Sequence, residues 1–132
     1  MDERRFKERT KQLALRVLRV VESLPRNRSA DIIGRQLLRS ATSVGANYRA
    51  ACRGKSASDV IAKLGIVEEE ADESMYWMEL LIEGGLVSAD RLKELLEETN
   101  QIVAMTVTSI KTLRSRIHSP QSKIRNLKSK IS

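Results

Sequence analysis

The amino-acid sequence predicts an all-α protein, an up-down-up-down antiparallel four-helix bundle. Three observations carry this reading. Aromatic residues are only 3% of the 132, beside two Pro and six Gly, where a β-sandwich or barrel needs more aromatics and turn residues. Apolar residues return at steps of three and four over four long stretches. About four to six residues separate these stretches, and short connections between long helices make each neighbour antiparallel. With 41% apolar and 31% charged residues, the composition is that of a soluble globular domain. The length suffices to bury a core without disulfide or metal staples.

The first helix is expected over about residues 3 to 24. Phe6, Leu13, Val17, Val20 and Leu24 form its stripe, widened by Ala14, Leu18 and Val21, and Pro25 ends it. The second is expected from Ser29 to Cys52, with Ser29 as N-cap, Asp31 in the first turn and Gly54 as a C′ stop. Its stripe is Ile33, Leu37, Ala41, Val44, Tyr48 and Ala51, small enough in places for a close neighbour. The third opens on Ser56 and Asp59, a variant capping box, and runs to about Glu83 before Gly84-Gly85. Val60, Leu64, Val67, Ala71, Met78 and Leu81 are its core face. The fourth follows Ser88 and presents Leu92, Leu95, Leu96, Ile102, Val103, Ile110 and Leu113. Pro120 stops any extension. The division is a bundle over residues 1–117 and a basic tail over 118–132, compatible with a short helix or a disordered segment.

Charge is unevenly placed within a net +7. Residues 25–57 hold seven basic groups and one acidic, residues 58–83 one basic and eight acidic, and residues 114–132 six basic and no acidic. On the second helix Arg35, Arg39, Arg49 and Arg53 share one stripe with Thr42 and Ala46. On the third, Glu68, Asp72, Glu79 and Glu83 form a ridge, with Glu69 and Glu73 beside it. Such stripes can be solvated faces, or pair across their own hairpin for about 0–1 kcal/mol per exposed pair. Alternatively they join one subunit to the next, since a head-to-tail interface closes into a ring when the rotation allows. That third arrangement makes Arg35, Arg39, Arg49, Arg53, Glu68, Glu69, Asp72, Glu73 and Trp77 the expected subunit interface. Met75, Tyr76 and Trp77 would anchor it, or else fill the bundle core.

Several chemistries lack their residues. Gly54-Lys55-Ser56 resembles the end of a phosphate-binding loop, but Arg49 stands where the earlier Gly belongs and no strand precedes it. A diiron bundle needs Glu-x-x-His on two helices, and the only His is His118. Cys52 has neither a CxxC context nor a His near it in sequence. No nucleophile–base–orienter set stands out, so the expectation is no enzyme, no metal and no cofactor. No apolar run reaches the length of a membrane span, and the charged start MDERRFKERTK is unlike a signal peptide, which points to the cytoplasm and away from membranes. The cations Arg114, Arg116, Lys123, Arg125, Lys128 and Lys130, with no acid among them, are the candidate nucleic-acid contacts, since neutralised phosphates release counterions.

The stretch LLRSATSVGANYRAACRGKSASDVIAKLGIVEEEADESMYWMELL resembles the bacterial 23S rRNA intervening-sequence protein family. Leu38, Ala41, Ser43, Val44 and Asn47 match its second-helix motif, and Ser56, Leu64, Glu69, Ala71 and Asp72 the following segment. The similarity spans about residues 10 to 113. Many relatives read Asn-x-x-Glu-Gly where this chain has Asn47-Tyr48-Arg49-Ala50-Ala51-Cys52-Arg53-Gly54, a departure that suggests a subgroup. The resemblance implies an up-and-down bundle and a homopentameric ring. It also implies RNA and a nucleic-acid enzyme as partners, because some distant relatives are basic pentamers that serve a reverse transcriptase. The function expected is a non-enzymatic, ring-forming scaffold that binds RNA through basic surfaces. The rival reading is a protein-interaction adaptor with no nucleic acid.

Overall fold

The computed structural model describes residues 2–117. Four helices follow one another: α1 (Glu3–Glu22), α2 (Arg28–Cys52), α3 (Ala57–Glu83) and α4 (Ala89–Ile117). Helices adjacent in sequence pack side by side, and α4 returns to α1 only along a short seam. This is the expected four-helix bundle. Its core repeats at alternating steps of three and four, the spacing that lets side chains of one helix seat between those of the next. Phe6, Leu13 and Val17 of α1 meet Leu37, Val44 and Tyr48 of α2, Leu64, Val67 and Met78 of α3, and Leu92, Ile102 and Ile110 of α4 in one buried cluster.

Five hydroxyl side chains occupy seam positions as well: Thr10, Ser40, Ser74, Thr99 and Thr106, each about 1% exposed or less. Burial of a hydroxyl is tolerated when it finds an acceptor. Thr99 donates to the Leu95 carbonyl and Thr106 to the Ile102 carbonyl, both at 2.7 Å. Thr10 donates to the Lys7 carbonyl. The Ser40 and Ser74 hydroxyls meet at 2.9 Å across α2 and α3, where only small side chains allow so close an approach. Sequence periodicity, counting apolar residues alone, passes over all five.

The helix ends correct several local expectations. Asn27, not Ser29, caps α2: its Oδ1 accepts from the Ala30 N–H at 2.8 Å. Asn caps at least as well as Ser, and the chain reaches it first. Ser56 caps α3 as expected, accepting from the Asp59 N–H, while Asp59 reaches back to the Lys55 N–H. Gly54 is not a left-handed stop; the residue with positive φ is Gly85, at 72°. There the Leu86 N–H returns to the Leu81 carbonyl and the Gly85 N–H to that of Ile82, the paired bonds of a Schellman ending. Gly54 serves space instead, since a Cβ would lie 2.5 Å from Val60 Cγ2. Helix α1 ends two residues short of Leu24, and Leu18 is 40% exposed rather than packed.

Arg9 makes the α1–α4 seam. Its guanidinium binds Glu98 through both Nε (3.0 Å) and Nη2 (2.6 Å), and Nη2 also donates to Gln101. Paired donors on one carboxylate fix orientation as well as distance. At the opposite end of α1, the Arg91 guanidinium donates to Ser23 Oγ.

Candidate nucleic-acid interface

The predicted basic stripe of α2 divides in two. Its first half faces acids. Arg35 pairs with Asp31 one turn earlier at 3.1 Å. Arg39 crosses to α3, with Nη2 at 2.6 Å from Glu73 and Nη1 at 3.5 Å from Glu70. Glu70 Oε2 is buried without a hydrogen bond, and the Arg39 charge is what compensates it. Trp77 Nε1 donates to the same Glu73 oxygen at 3.2 Å, and its ring meets Tyr76 edge-on. Arg39 and Trp77 thus both contact Glu73 within one chain, and Arg39 makes the hairpin pairing that the sequence left open. Arg39, and secondarily the Trp77 N–H, holds the Glu73 carboxyl below the usual carboxylate range. A carboxyl depressed in the folded state stabilises it above its unfolded pKa near 4.5, and this gain is lost as pH falls through the folded value. Thermal unfolding of Glu73→Gln is therefore expected to fall less steeply than the parent's below about pH 4. Equal slopes would show that the pair contributes nothing.

The second half of the stripe faces cations. Arg49 and Arg53 line a groove between α1 and α2 together with Arg4, Lys7 and Lys11, and its volume is about 580 Å³. Its floor is built from Thr10, Ala14, Gly45 and Ala46. The small floor residues keep the groove open, and the antiparallel register sets Gly45 against Thr10. Lys7 has a partner in Glu3 at 3.2 Å, an exposed pair one turn apart. Arg4, Lys11, Arg49 and Arg53 are exposed and form no ion pair among the described residues. Glu8 is the one acidic residue on the groove's wall. Five cations this close with a single acid repel one another, and a polyanion relieves that repulsion.

Topology gathers more positive charge at the same end of the bundle. The start of α1, the end of α2 and the end of α4 lie there, the last carrying Arg114 and Arg116 in its final turn. Both are exposed. Cations at a helix C-terminus also suit the helix dipole. Lys123, Arg125, Lys128 and Lys130 lie outside the described residues. Basic residues of the first helix are expected among the phosphate contacts only as a class, and the sequence does not single out Arg4, Lys7 and Lys11. Their own signal, basic residues at 4, 7 and 11 on one face, is real, but the register that sets them against Arg49 and Arg53 is tertiary.

On the far side of α2, the acidic helix keeps much of its charge in water. Glu69, Asp72, Glu79 and Glu83 are exposed and Glu68 is half-buried. Tyr76, 53% exposed, stands among them. Among the described residues there is no group of three or more His, Cys, Asp or Glu arranged to hold a metal ion, and no helix is long and apolar enough to cross a membrane. Cys52 is half-buried, and burial pushes its thiol pKa up, away from the reactive thiolate.

The family model for the 23S rRNA-intervening sequence protein matches residues 3–108. The chain belongs to that family. The intervening-sequence fold is similar to a crystal structure, at 1.70 Å resolution, of a protein with unknown function from the S23 ribosomal protein family of Bacteroides thetaiotaomicron VPI-5482. The two share 31% identity with a TM-score of 0.78, over 84% of this chain and 99% of that one. No curated protein matches. The intervening-sequence family match thus covers α1 through most of α4, including both walls of the basic groove.

Proposed function

We propose that this intervening-sequence protein is a non-enzymatic, cytoplasmic scaffold that assembles into a ring and binds RNA through its basic surfaces. The groove between α1 and α2 carries this reading. It sets five cations around a floor of small residues, with most of their charge uncompensated. Guanidinium and ammonium groups of this kind suit phosphates, whose contacts position a nucleic acid without reading its sequence. Few aromatics are free to stack on bases, so recognition should follow shape and charge. The homopentameric number comes from the family resemblance. The exposed acidic ridge of α3 supplies a complement for the basic face of a neighbouring copy. A nucleic-acid enzyme is the natural further partner of such a scaffold.

Salt tests the RNA reading. With about five phosphate contacts, counterion release predicts roughly a 100- to 500-fold loss of affinity for a structured RNA between about 50 and 200 mM salt. Filter binding or fluorescence anisotropy measures it, and an affinity that barely moves would reject the proposal. The adaptor reading draws its support from α3, where exposed Tyr76 sits amid exposed carboxylates, of which Glu69, Asp72, Glu79 and Glu83 form no ion pair among the described residues, a composition suited to protein contact. In that case no RNA binds at any salt concentration.

A further inference from the structure

The basic groove between α1 and α2 has a shape as well as a charge. Its walls are two adjacent helices, and helices in contact pack with their axes about 8–10 Å apart. Ala14 from α1, with Gly45 and Ala46 from α2, keeps the floor low. From Arg4 to Ala14 the trough follows α1 for about 15 Å, at 1.5 Å per residue. The two helices run antiparallel, and Gly45 lies against Thr10. Arg49 and Arg53, about one and two turns beyond Gly45, are therefore level with the first turns of α1, where Arg4 and Lys7 stand. The cations thus form two facing rows, one on each rim. Glu8, the one acid on the wall, accepts from Gln12 on its own helix at 3.0 Å. Among the described residues no aromatic ring lines the trough: Phe6 and Tyr48 are buried in the core, and Tyr76 and Trp77 belong to α3.

We infer, on the reading that the basic surfaces bind RNA, that this trough holds one unpaired strand by its sugar-phosphate backbone, bases outward, and takes it in preference to a duplex. Length fits first. A stacked strand advances about 3.4 Å per nucleotide, so about five phosphates lie within 15 Å, one for each cation. Width selects the single strand. A lone backbone can sink between neighbouring helices to the small-residue floor. A duplex backbone cannot follow, because it curves around its axis and carries its paired strand behind it, across grooves about 6–12 Å wide in B-form. Only a few of its phosphates meet a straight trough. Chemistry sets the orientation: without a ring to stack on, the bases have no platform inside, and the cations face phosphate. Bulk charge alone favours the opposite order. A duplex presents one charge per about 1.7 Å of axis, twice the density of one strand. A preference for the single strand is therefore a signature of shape, which net charge does not produce.

Fluorescence anisotropy on the full chain, at about 100 mM salt, compares labelled oligouridylate of about 12 nucleotides with a blunt RNA duplex of equal length. The single strand should bind at least about tenfold more tightly, and its log K should fall with log salt at a slope near about −3.5, five contacts at about 0.7 each. Ala46→Leu raises the floor at an exposed position and leaves the charge unchanged. It should weaken the single strand about tenfold while the duplex affinity and the melting temperature stay as in the parent. A duplex bound as tightly as the single strand, or an Ala46→Leu protein that binds both as the parent does, overturns the inference and leaves the RNA reading standing. Failure of both ligands to bind removes that reading, and the inference with it.

Discussion

Replacing Phe6 by alanine is expected to destabilise the bundle by about 3–5 kcal/mol, the largest single-site loss in the described core. Phe6 is 1% exposed and is the sole Phe of the chain. It packs its ring edge-on against Tyr48, with centroids 4.5 Å apart at 68°. That geometry adds to simple burial, since the positive edge of one ring meets the negative face of the other. Helix α1 meets α4 only along a short seam, held by Arg9 and, at the far end, by Arg91 on Ser23, so the anchoring of its first turn falls on Phe6 and the Asp2 cap, which accepts from the Arg4 and Arg5 N–H groups. Thermal unfolding should show a drop of about 10–15 °C for Phe6→Ala. Phe6→Leu, which keeps most of the apolar volume, should lose less than half as much. A Phe6→Ala protein within about 1 kcal/mol of the parent would mean that the first turn of α1 is not part of the cooperative core.

The core that Phe6 anchors was largely readable from the residues. Leu13, Val17, Leu37, Val44, Val67, Met78 and Ile102 recur at helical steps, and every one of them is buried. Their spacing alone puts them on one face. The hydroxyls were not readable, for a physical reason. Thr99 and Thr106 occupy seam positions because an i−4 carbonyl lies within reach of a helical Thr, and Ser40 and Ser74 because each answers the other. A rule that equates core with apolar cannot find a polar group whose partner lies in the fold. Gly54 is a similar case. Position after a helix suggested a backbone requirement, whereas the requirement is room beside Val60, which belongs to the next helix.

The charge pattern shows the same limit. That α2 is basic and α3 acidic follows from counting. Which cations meet which acids depends on register. Arg39 falls opposite Glu70 and Glu73, whereas Arg49 and Arg53, ten and fourteen residues on, have passed the acidic stretch and face the start of α1. One stripe on a helical wheel thus serves two environments, because α3 carries only the capping Asp59 before Glu68 and concentrates its other carboxylates from there on.

That division decides which reversal tests the groove. Arg39→Glu would put a third carboxylate beside Glu70 and Glu73, with the buried Glu70 oxygen losing its compensating charge. Any loss of assembly or binding in that variant would be confounded with unfolding. Arg49→Glu with Arg53→Glu avoids this, since both side chains are exposed and form no ion pair among the described residues. The melting temperature should stay within a few degrees of the parent. RNA affinity at moderate salt should fall about 100-fold, and the slope of log K against log salt should flatten by about 1.4–1.8, the share of two lost phosphate contacts. Arg26→Glu with Arg28→Glu changes net charge equally at the opposite end of the bundle, so it should weaken binding far less. Equal losses in the two variants would reduce the groove to net charge alone. Light scattering on the same proteins addresses the subunit contact. If Arg49 and Arg53 join neighbouring copies, the reversal lowers the assembled mass; if they face a polyanion, the mass holds while the affinity falls, and the two roles of the basic helix are separated in a single pair of substitutions.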